Sequence, residues 1–157
     1  MCRLFILSLH PHQHPKLWRS AAGFLTTHGE ERIRTETLER YRYPSAPAVF
    51  VWAVTGKQSV SLSATLLNDD EALSSVTVTR LSQRRQGHAT ACVRAKAKAL
   101  HKQGIVPAAT VATDNPASLG LMKAAGWRSV TSVTLRRSSG PYQAKLFVSM
   151  LDKQACL

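Results

Sequence analysis

At 157 residues, with 44% apolar and 19% charged residues, the chain has the size and composition of one folded domain, and wholesale disorder is excluded. Its charge is unusual: 21 Lys and Arg against 9 Asp and Glu give a formal +12, which suits a polyanionic partner such as nucleic acid, an acidic surface or a phosphate-rich cofactor. Cys2, Cys92 and Cys156 are odd in number and form no CxxC pair, favouring free thiols in a reducing compartment and a cytoplasmic location.

Arg3 to Leu9 reads as a first strand; its apolar run is short, and His10-Pro11-His12 stands where a signal peptide would carry small residues. The longest apolar run, Ala46 to Val54, is nine residues with Pro47 inside, so no membrane span is expected. Pro15 opens a helix with Leu17, Trp18, Ala21 and Leu25 at helical spacing. Gly29 separates it from a second helix that has Glu30 and Glu31 in its first turn and is closed by Pro44 and Pro47. Val49–Val54 and Ser59–Leu67 are neighbouring strands around Thr55-Gly56-Lys57.

After the polar turn Asn68-Asp69-Asp70-Glu71 comes the stretch Ser74 to Ala89. Val76 and Val78 alternate with Ser75, Thr77 and Thr79 as in a strand, and Arg84-Arg85-Gln86-Gly87-His88-Ala89 leads into an Ala-rich helix from about Thr90 to Lys102. A strand, a short turn with one Gly and a helix N-terminus make a place for phosphate: first-turn N–H groups lack intrahelical acceptors, and the helix dipole adds partial positive charge. Gly87 permits close approach of an anion, and Arg84 and Arg85 supply charge-assisted hydrogen bonds. The same residues also read as an ordinary strand–helix joint with a solvated basic turn.

Gly104 ends that helix, and Val106–Ala112 is the next strand. Asn115 is a good N-cap, Pro116 suits the first helical position, and Gly126 suits the position after the last turn. Trp127–Leu135 and Tyr142–Leu151 form a final strand pair, with Tyr142, Ala144, Leu146, Val148 and Met150 along one apolar face. The expected fold class is α+β (mixed α/β): one domain over residues 1–157, with a mixed, mostly antiparallel sheet flanked by about four helices.

These residues resemble a known family, the GNAT superfamily of acyl-CoA-dependent N-acyltransferases. Arg84-Arg85-Gln86-Gly87-His88-Ala89 resembles its Arg/Gln-x-x-Gly-x-Gly/Ala turn. Asn115-Pro116-Ala117-Ser118 with Leu121 and Gly126-Trp127 resembles its Asn-x-x-Ser … Leu-Tyr … Gly-Phe segment. The motif-bearing part is about 74–130, and the segment around Asn115–Gly126 is closest to the glycine N-acyltransferase-like branch. The resemblance implies that acetyl-CoA or another acyl-CoA is co-substrate and a primary amine the acceptor. Gln86, Gly87, His88 and Ala89 would cradle the pyrophosphate beside Arg84 and Arg85. Val76 and Val78 belong to the strand whose main chain would hold the pantetheine arm, and Asn115 would bond the pantetheine or thioester end, a role compatible with capping.

Two departures from the family pattern bear on mechanism. The Tyr that can protonate the leaving thiolate is matched by Met122, which leaves Ser118, His88 or solvent as donor. The carboxylates nearest the family's base are Asp69, Asp70 and Glu71; Glu71 is the candidate, against a solvated turn, and Asp114 reads as a turn residue. His10, His12 and His14 form an HxHxH run with no Cys or carboxylate to complete a set, and no metal is expected. Cys92 reads as a small core residue, and Arg94, Lys96, Lys98, His101 and Lys102 as a solvated basic face that could also hold a phosphate. Two alternatives stand beside an active transferase: a catalytically impaired acyl-CoA-binding homologue and a basic nucleic-acid-binding protein. Against the latter, zinc-finger spacing, RNA-binding aromatic strands and a basic zipper are all missing.

Overall fold

In the computed structural model, residues 1–29, 33, 35–68 and 71–150 are described, without the side chains of 36, 68 and 71–74. The elements in order are β1 (Cys2–Leu9), α1 (Pro15–Gly29), α2 (Thr35–Arg42), β2 (Ala48–Thr55), β3 (Gln58–Asn68), β4 (Glu71–Thr79), α3 (His88–Lys102), β5 (Ala108–Ala112), α4 (Pro116–Ala124), β6 (Arg128–Arg137) and β7 (Gly140–Val148). Strands β1-β2-β3-β4 form one antiparallel sheet and β5-β7-β6 a second, also antiparallel. The expected mixed α/β architecture is present, with its sheet in two parts: β4 and β5 are not hydrogen-bonded to each other.

Strand β2 lies between β1 and β3 with helices on both faces, which is why Ala-Val-Phe-Val-Trp-Ala-Val is apolar without alternation. Ala48, Phe50 and Trp52 point one way, joining Leu62, Ala64, Leu66 and Val78 under Trp18, Phe24, Leu25 and Tyr41 of α1 and α2. The Trp18 Nε1–H donates to the Tyr41 carbonyl (2.6 Å), and its ring meets Phe50 edge-on, fixing both helices on the sheet. Val49, Val51 and Ala53 point the other way, where Cys92 and Leu100 of α3 pack. Val93 and Ala97 of α3 join Met122, Trp127, Val111 and Phe147 in a further cluster against the second sheet.

Several boundaries differ from expectation for local reasons. Gly29 is the last residue of α1 rather than a separator, α2 begins at Thr35, and Glu30 and Glu31 lie outside the described residues. Strand β5 starts at Ala108 because Pro107 has no N–H to donate; its carbonyl accepts from Ser149 instead. Trp127 precedes β6 and is buried, and β7 buries Ala144 on one face and Phe147 on the other, so its apolar pattern is two-sided. Gly104 and Gly126 do take the left-handed conformation past the ends of α3 and α4, as their positions predict.

Candidate functional site

The parting of the two sheets leaves β4 as an edge strand, paired only with β3. Its outer row of backbone N–H and C=O groups is therefore open to an extended ligand lying between the sheets. At its C-terminal end the chain makes one 3₁₀ turn, Leu81–Gln83, then passes through Arg84, Arg85 and Gln86 to Gly87 and α3. Arg80 and Arg84 anchor this turn: Arg80 Nε donates to the Ser59 carbonyl (2.6 Å) and Arg84 Nε to the Thr79 carbonyl (3.2 Å). Arg85, Gln86 and Gly87 are exposed, while His88 and Ala89 are half-buried.

Gly87 is the α3 N-cap with φ +83°, a conformation that costs an L side chain roughly 1–2 kcal/mol. Arg85 also has positive φ, +65°. The first α3 bond runs from the Ala91 N–H to the Gly87 carbonyl, and no side chain caps the helix, so the N–H groups of His88, Ala89 and Thr90 face the open end. A Cβ built on Gly87 would meet nothing within 4 Å, so its glycine is needed for φ and leaves room beside the helix end. His88 Nε2 is shielded from solvent without a hydrogen-bond partner among the described residues. No carboxylate occurs in the sequence between Glu71 and Asp114, so the segment that forms this turn and α3 carries only basic charges. Orphan donors, left-handed glycine and positive charge together suit a pyrophosphate.

The other expected site residues are distributed as follows. Val76 and Val78 lie in β4 with side chains directed to the α1 core, so only their main chain faces the opening. Asn115 caps α4, its Oδ1 accepting from the Ser118 N–H (3.1 Å), which leaves its amide N–H₂ for a ligand. Ser118 is half-buried in the first turn of α4. Met122 is buried against Val93, Ala97, Val111, Trp127 and Phe147. Glu71 starts β4, but its side chain, like Asp69 and Asp70, lies outside the described residues. Asp114 is exposed, 3.8 Å from Arg137, as befits a turn residue. Cys92 is fully buried, and burial pushes its thiol up to about 11, offset in part by a hydrogen bond with Ser61. Among the described residues, no group of three His, Cys, Asp or Glu could hold a metal, and no helix is long and apolar enough to cross a membrane.

The basic face of α3 is not wholly solvated. Arg94 reaches the C-terminal end of α4, donating to the Ala124 carbonyl (2.6 Å), and Lys96 is buried, 2% exposed. Lys96 Nζ donates to the Ala64 carbonyl (3.2 Å) and to Ser75 Oγ (2.7 Å). It lies over a ladder of paired hydroxyls between β3 and β4: Ser61 with Thr79 (2.9 Å), Ser63 with Thr77 (2.8 Å) and Thr65 with Ser75 (2.9 Å). Its partners among the described residues are neutral, and burial lowers its pKa from 10.5 to about 7. Helical spacing held the signal for this placement, since Lys96 is four residues from both Cys92 and Leu100 on the buried stripe.

On the opposite face of the first sheet, a groove of about 710 Å³ is lined by Phe24, His28, Lys57 and Arg80, among others. Burial and the adjacent Arg80 charge lower the His28 pKa.

A family model described as FR47-like protein matches residues 53–136, just over half of the chain and all of the β4–α3–β5–α4 segment. No curated protein matches the sequence. Among solved structures, the ribosomal-protein-alanine N-acetyltransferase from Brucella melitensis superposes with TM-score 0.63 at 14% identity, covering 94% of this chain and 99% of that one. A spermidine N-acetyltransferase variant from Vibrio cholerae gives TM-score 0.62 at 13% identity, over 93% and 92% of the two chains. The NAA60 protein of Arabidopsis thaliana in complex with acetyl-CoA gives 0.58 at 13% identity, over 94% and 98%. At these identities the likeness is one of fold.

Proposed function

Because the chain belongs to the FR47-like family of the GNAT superfamily, we propose that it transfers an acetyl or other acyl group from acyl-CoA to a primary amine. The observation that carries this reading is the open β4 edge running into the left-handed Gly87 turn and the uncapped start of α3. Gln86, Gly87, His88 and Ala89 bind the pyrophosphate through their backbone, with Arg84 and Arg85 supplying charge. The β4 main chain around Val76 and Val78 aligns the pantetheine arm as an added strand would be aligned, and Asn115 holds its thioester end through the free amide N–H₂.

Transfer is direct within a ternary complex. The amine attacks the thioester carbonyl, the C–N bond forms, the C–S bond breaks, and one proton passes from amine to departing sulfur. Holding the two reactants in register supplies much of the rate. A covalent route through Cys92 is disfavoured, since its buried thiol is not a thiolate at neutral pH. Ser118, half-buried at the α4 N-terminus, is a candidate donor to sulfur, and Glu71 at the start of β4 a candidate base. The basic groove at Lys57 and Arg80 and the net charge of +12 favour an acceptor amine that also carries a carboxylate or other anion. A second reading, acyl-CoA binding without turnover, is favoured by Met122, which offers no proton where the family pattern has a Tyr.

Calorimetry with acetyl-CoA tests the binding step. Gly87→Glu places a like charge and a strained side chain at the anion site and should abolish the heat of binding in a protein that still folds. Unchanged affinity would refute the site. Release of free thiol from acetyl-CoA over a panel of amines tests transfer, and separates the active reading from the binding-only one.

A further inference from the structure

Lys96 is the feature that neither the fold nor the acyl-CoA site accounts for. A buried amine whose partners among the described residues are one carbonyl and one hydroxyl is less favourable than a Met or Leu of similar volume, because neither partner is a counter-ion for its charge. The described residues packed on α3 bring it no carboxylate. β2 turns Val49, Val51 and Ala53 towards it, β3 and β4 turn hydroxyls, and α4 brings Met122. Among the described residues, the titratable group that acts on Lys96 is the Cys92 thiol, one turn away on α3, while the side chain of Glu71 on β4 lies outside the described residues.

One of the two polar partners leads outward. Ser75 is exposed and lies on the open edge strand, whereas Lys96 behind it is sealed. Ser75 is five residues before Arg80, so at ~3.3 Å per residue it stands roughly 16 Å back along β4 from the point where the strand ends and the chain turns towards α3. An extended pantetheine arm that starts at the turn and follows β4 ends its sulfur at about this level.

We propose that Ser75 and Lys96 form a proton shuttle at the thioester end of the acyl-CoA site, with Ser75 touching the reacting atoms and Lys96 positioned behind it to hold the proton. This inference rests on the acyl-transfer reading above. As the C–N bond forms, the attacking amine gives a proton to Ser75 Oγ while the Ser75 O–H proton passes to the lone pair of neutral Lys96 Nζ. As the C–S bond breaks, the Lys96 ammonium returns a proton to Ser75, which passes its own to the departing thiolate. The balance is one proton moved from nitrogen to sulfur, with Ser75 and Lys96 restored and no oxidant, reductant or metal required. The lowered Lys96 pKa, about 7, suits a group that must take up and release a proton near neutrality. In this scheme the shuttle takes both the base role for which Glu71 is a candidate and the acid role for which Ser118 is one, where Met122 offers no proton.

The test uses CoA itself. Thiolate absorbance of bound CoA, measured against desulfo-CoA as reference, is titrated on the wild type, Lys96→Met and Ser75→Ala. Neutral Lys96 takes the CoA thiol proton through Ser75 and forms an ammonium–thiolate pair, so the bound thiol of the wild type gives thiolate absorbance at least about tenfold more readily than in either variant. Ser75→Ala alters an exposed position, so it reads the shuttle even if Lys96→Met alters folding. In turnover of acetyl-CoA with the best amine of the panel, each variant should lower kcat roughly 100-fold while KM for acetyl-CoA stays within about twofold. The double variant should be no slower than either single one, since the two groups act as a unit. CoA binding with the same thiol acidity in all three proteins overturns the shuttle and leaves the acyl-CoA site standing. Loss of all CoA binding by the wild type overturns both. An acetyl group recovered on Ser75 by mass spectrometry overturns the shuttle in favour of a covalent route.

Discussion

Replacing Lys96 with Met should make the protein more stable near neutral pH and should remove one component of its pH dependence. In the native state burial lowers the Lys96 pKa from 10.5 to about 7, whereas the unfolded chain keeps its proton up to the ordinary value. Between these limits the unfolded state binds more protons, so native stability rises with pH across the window from about 7 to 10.5. The stabilising effect is complete above the unfolded pKa, is lost as pH falls through the window, and is absent below about 7. At 1.36 kcal/mol per pH unit, that difference amounts to at most ~5 kcal/mol, a large share of the 5–15 kcal/mol that holds a typical domain together. Against it stand the two Lys96 hydrogen bonds, each worth about 1 kcal/mol net, which Met forfeits at every pH. Lys96→Met should therefore exceed the wild type by several kcal/mol at about pH 6.5, with the gap closing or reversing as pH approaches 10.5. Urea unfolding of both proteins at several pH values reads this directly, since the other titrating groups cancel in the difference. A gap constant to within about 0.5 kcal/mol across the window would show that Lys96 is charged or solvated in the folded protein, and would refute the burial argument.

Cys92 should resist a thiol reagent in the native protein, so labelling of wild type and Cys92→Ala should be equal until denaturant is added; rapid native modification of Cys92 would contradict its burial. Cys92→Ala should leave turnover unchanged in a folded protein and lower stability by about 1 kcal/mol or more through the cavity it opens. Met122→Tyr adds a ring and a hydroxyl to a filled cluster and should cost about 1–3 kcal/mol; a variant with an unchanged melting point would show that this side chain has room towards the cleft. Ser118→Ala should leave acetyl-CoA affinity unchanged, because the Asn115 cap uses the Ser118 backbone N–H and not its hydroxyl, and should lower kcat far less than Ser75→Ala; an equal loss would assign the sulfur proton to Ser118. Retained activity would assign the proton elsewhere.

Much of this fold was legible because local chemistry decides it. Asn115 and Pro116 start a helix by capping and by a preset φ, and Gly104 and Gly126 end two helices because each must turn left-handed. Gly87 belongs to the same class, which is why the left-handed turn that opens α3 could be located from six consecutive residues. Periodicity likewise separated β2, apolar throughout, from the Ser and Thr alternation of β4. Membership of the family followed from two such local motifs standing at the right separation, and its matched segment, 53–136, spans both.

What the chain alone did not disclose depends on which surfaces meet. Lys96 and Lys98 differ in sequence by two positions and in the folded protein by whether the helix turns them to the sheet or to water. That choice follows from α3 packing on β3 and β4, so a residue expected on the solvated face is sealed against a hydroxyl ladder. The ladder itself exists only once the β3–β4 register sets Ser61, Ser63 and Thr65 opposite Thr79, Thr77 and Ser75. In the sequence these are polar residues at alternate positions, equally suited to a solvent-facing edge. Met122 shows the same limit: a motif aligned it with a residue of the thioester site, and packing buried it among Trp127 and Phe147. Short-range capping, turn and alternation rules act within a few residues and survive outside the fold. Burial of an amine, pairing of hydroxyls and the opening between β4 and β5 are set by contacts among residues tens of positions apart, and only the tertiary structure brings them together.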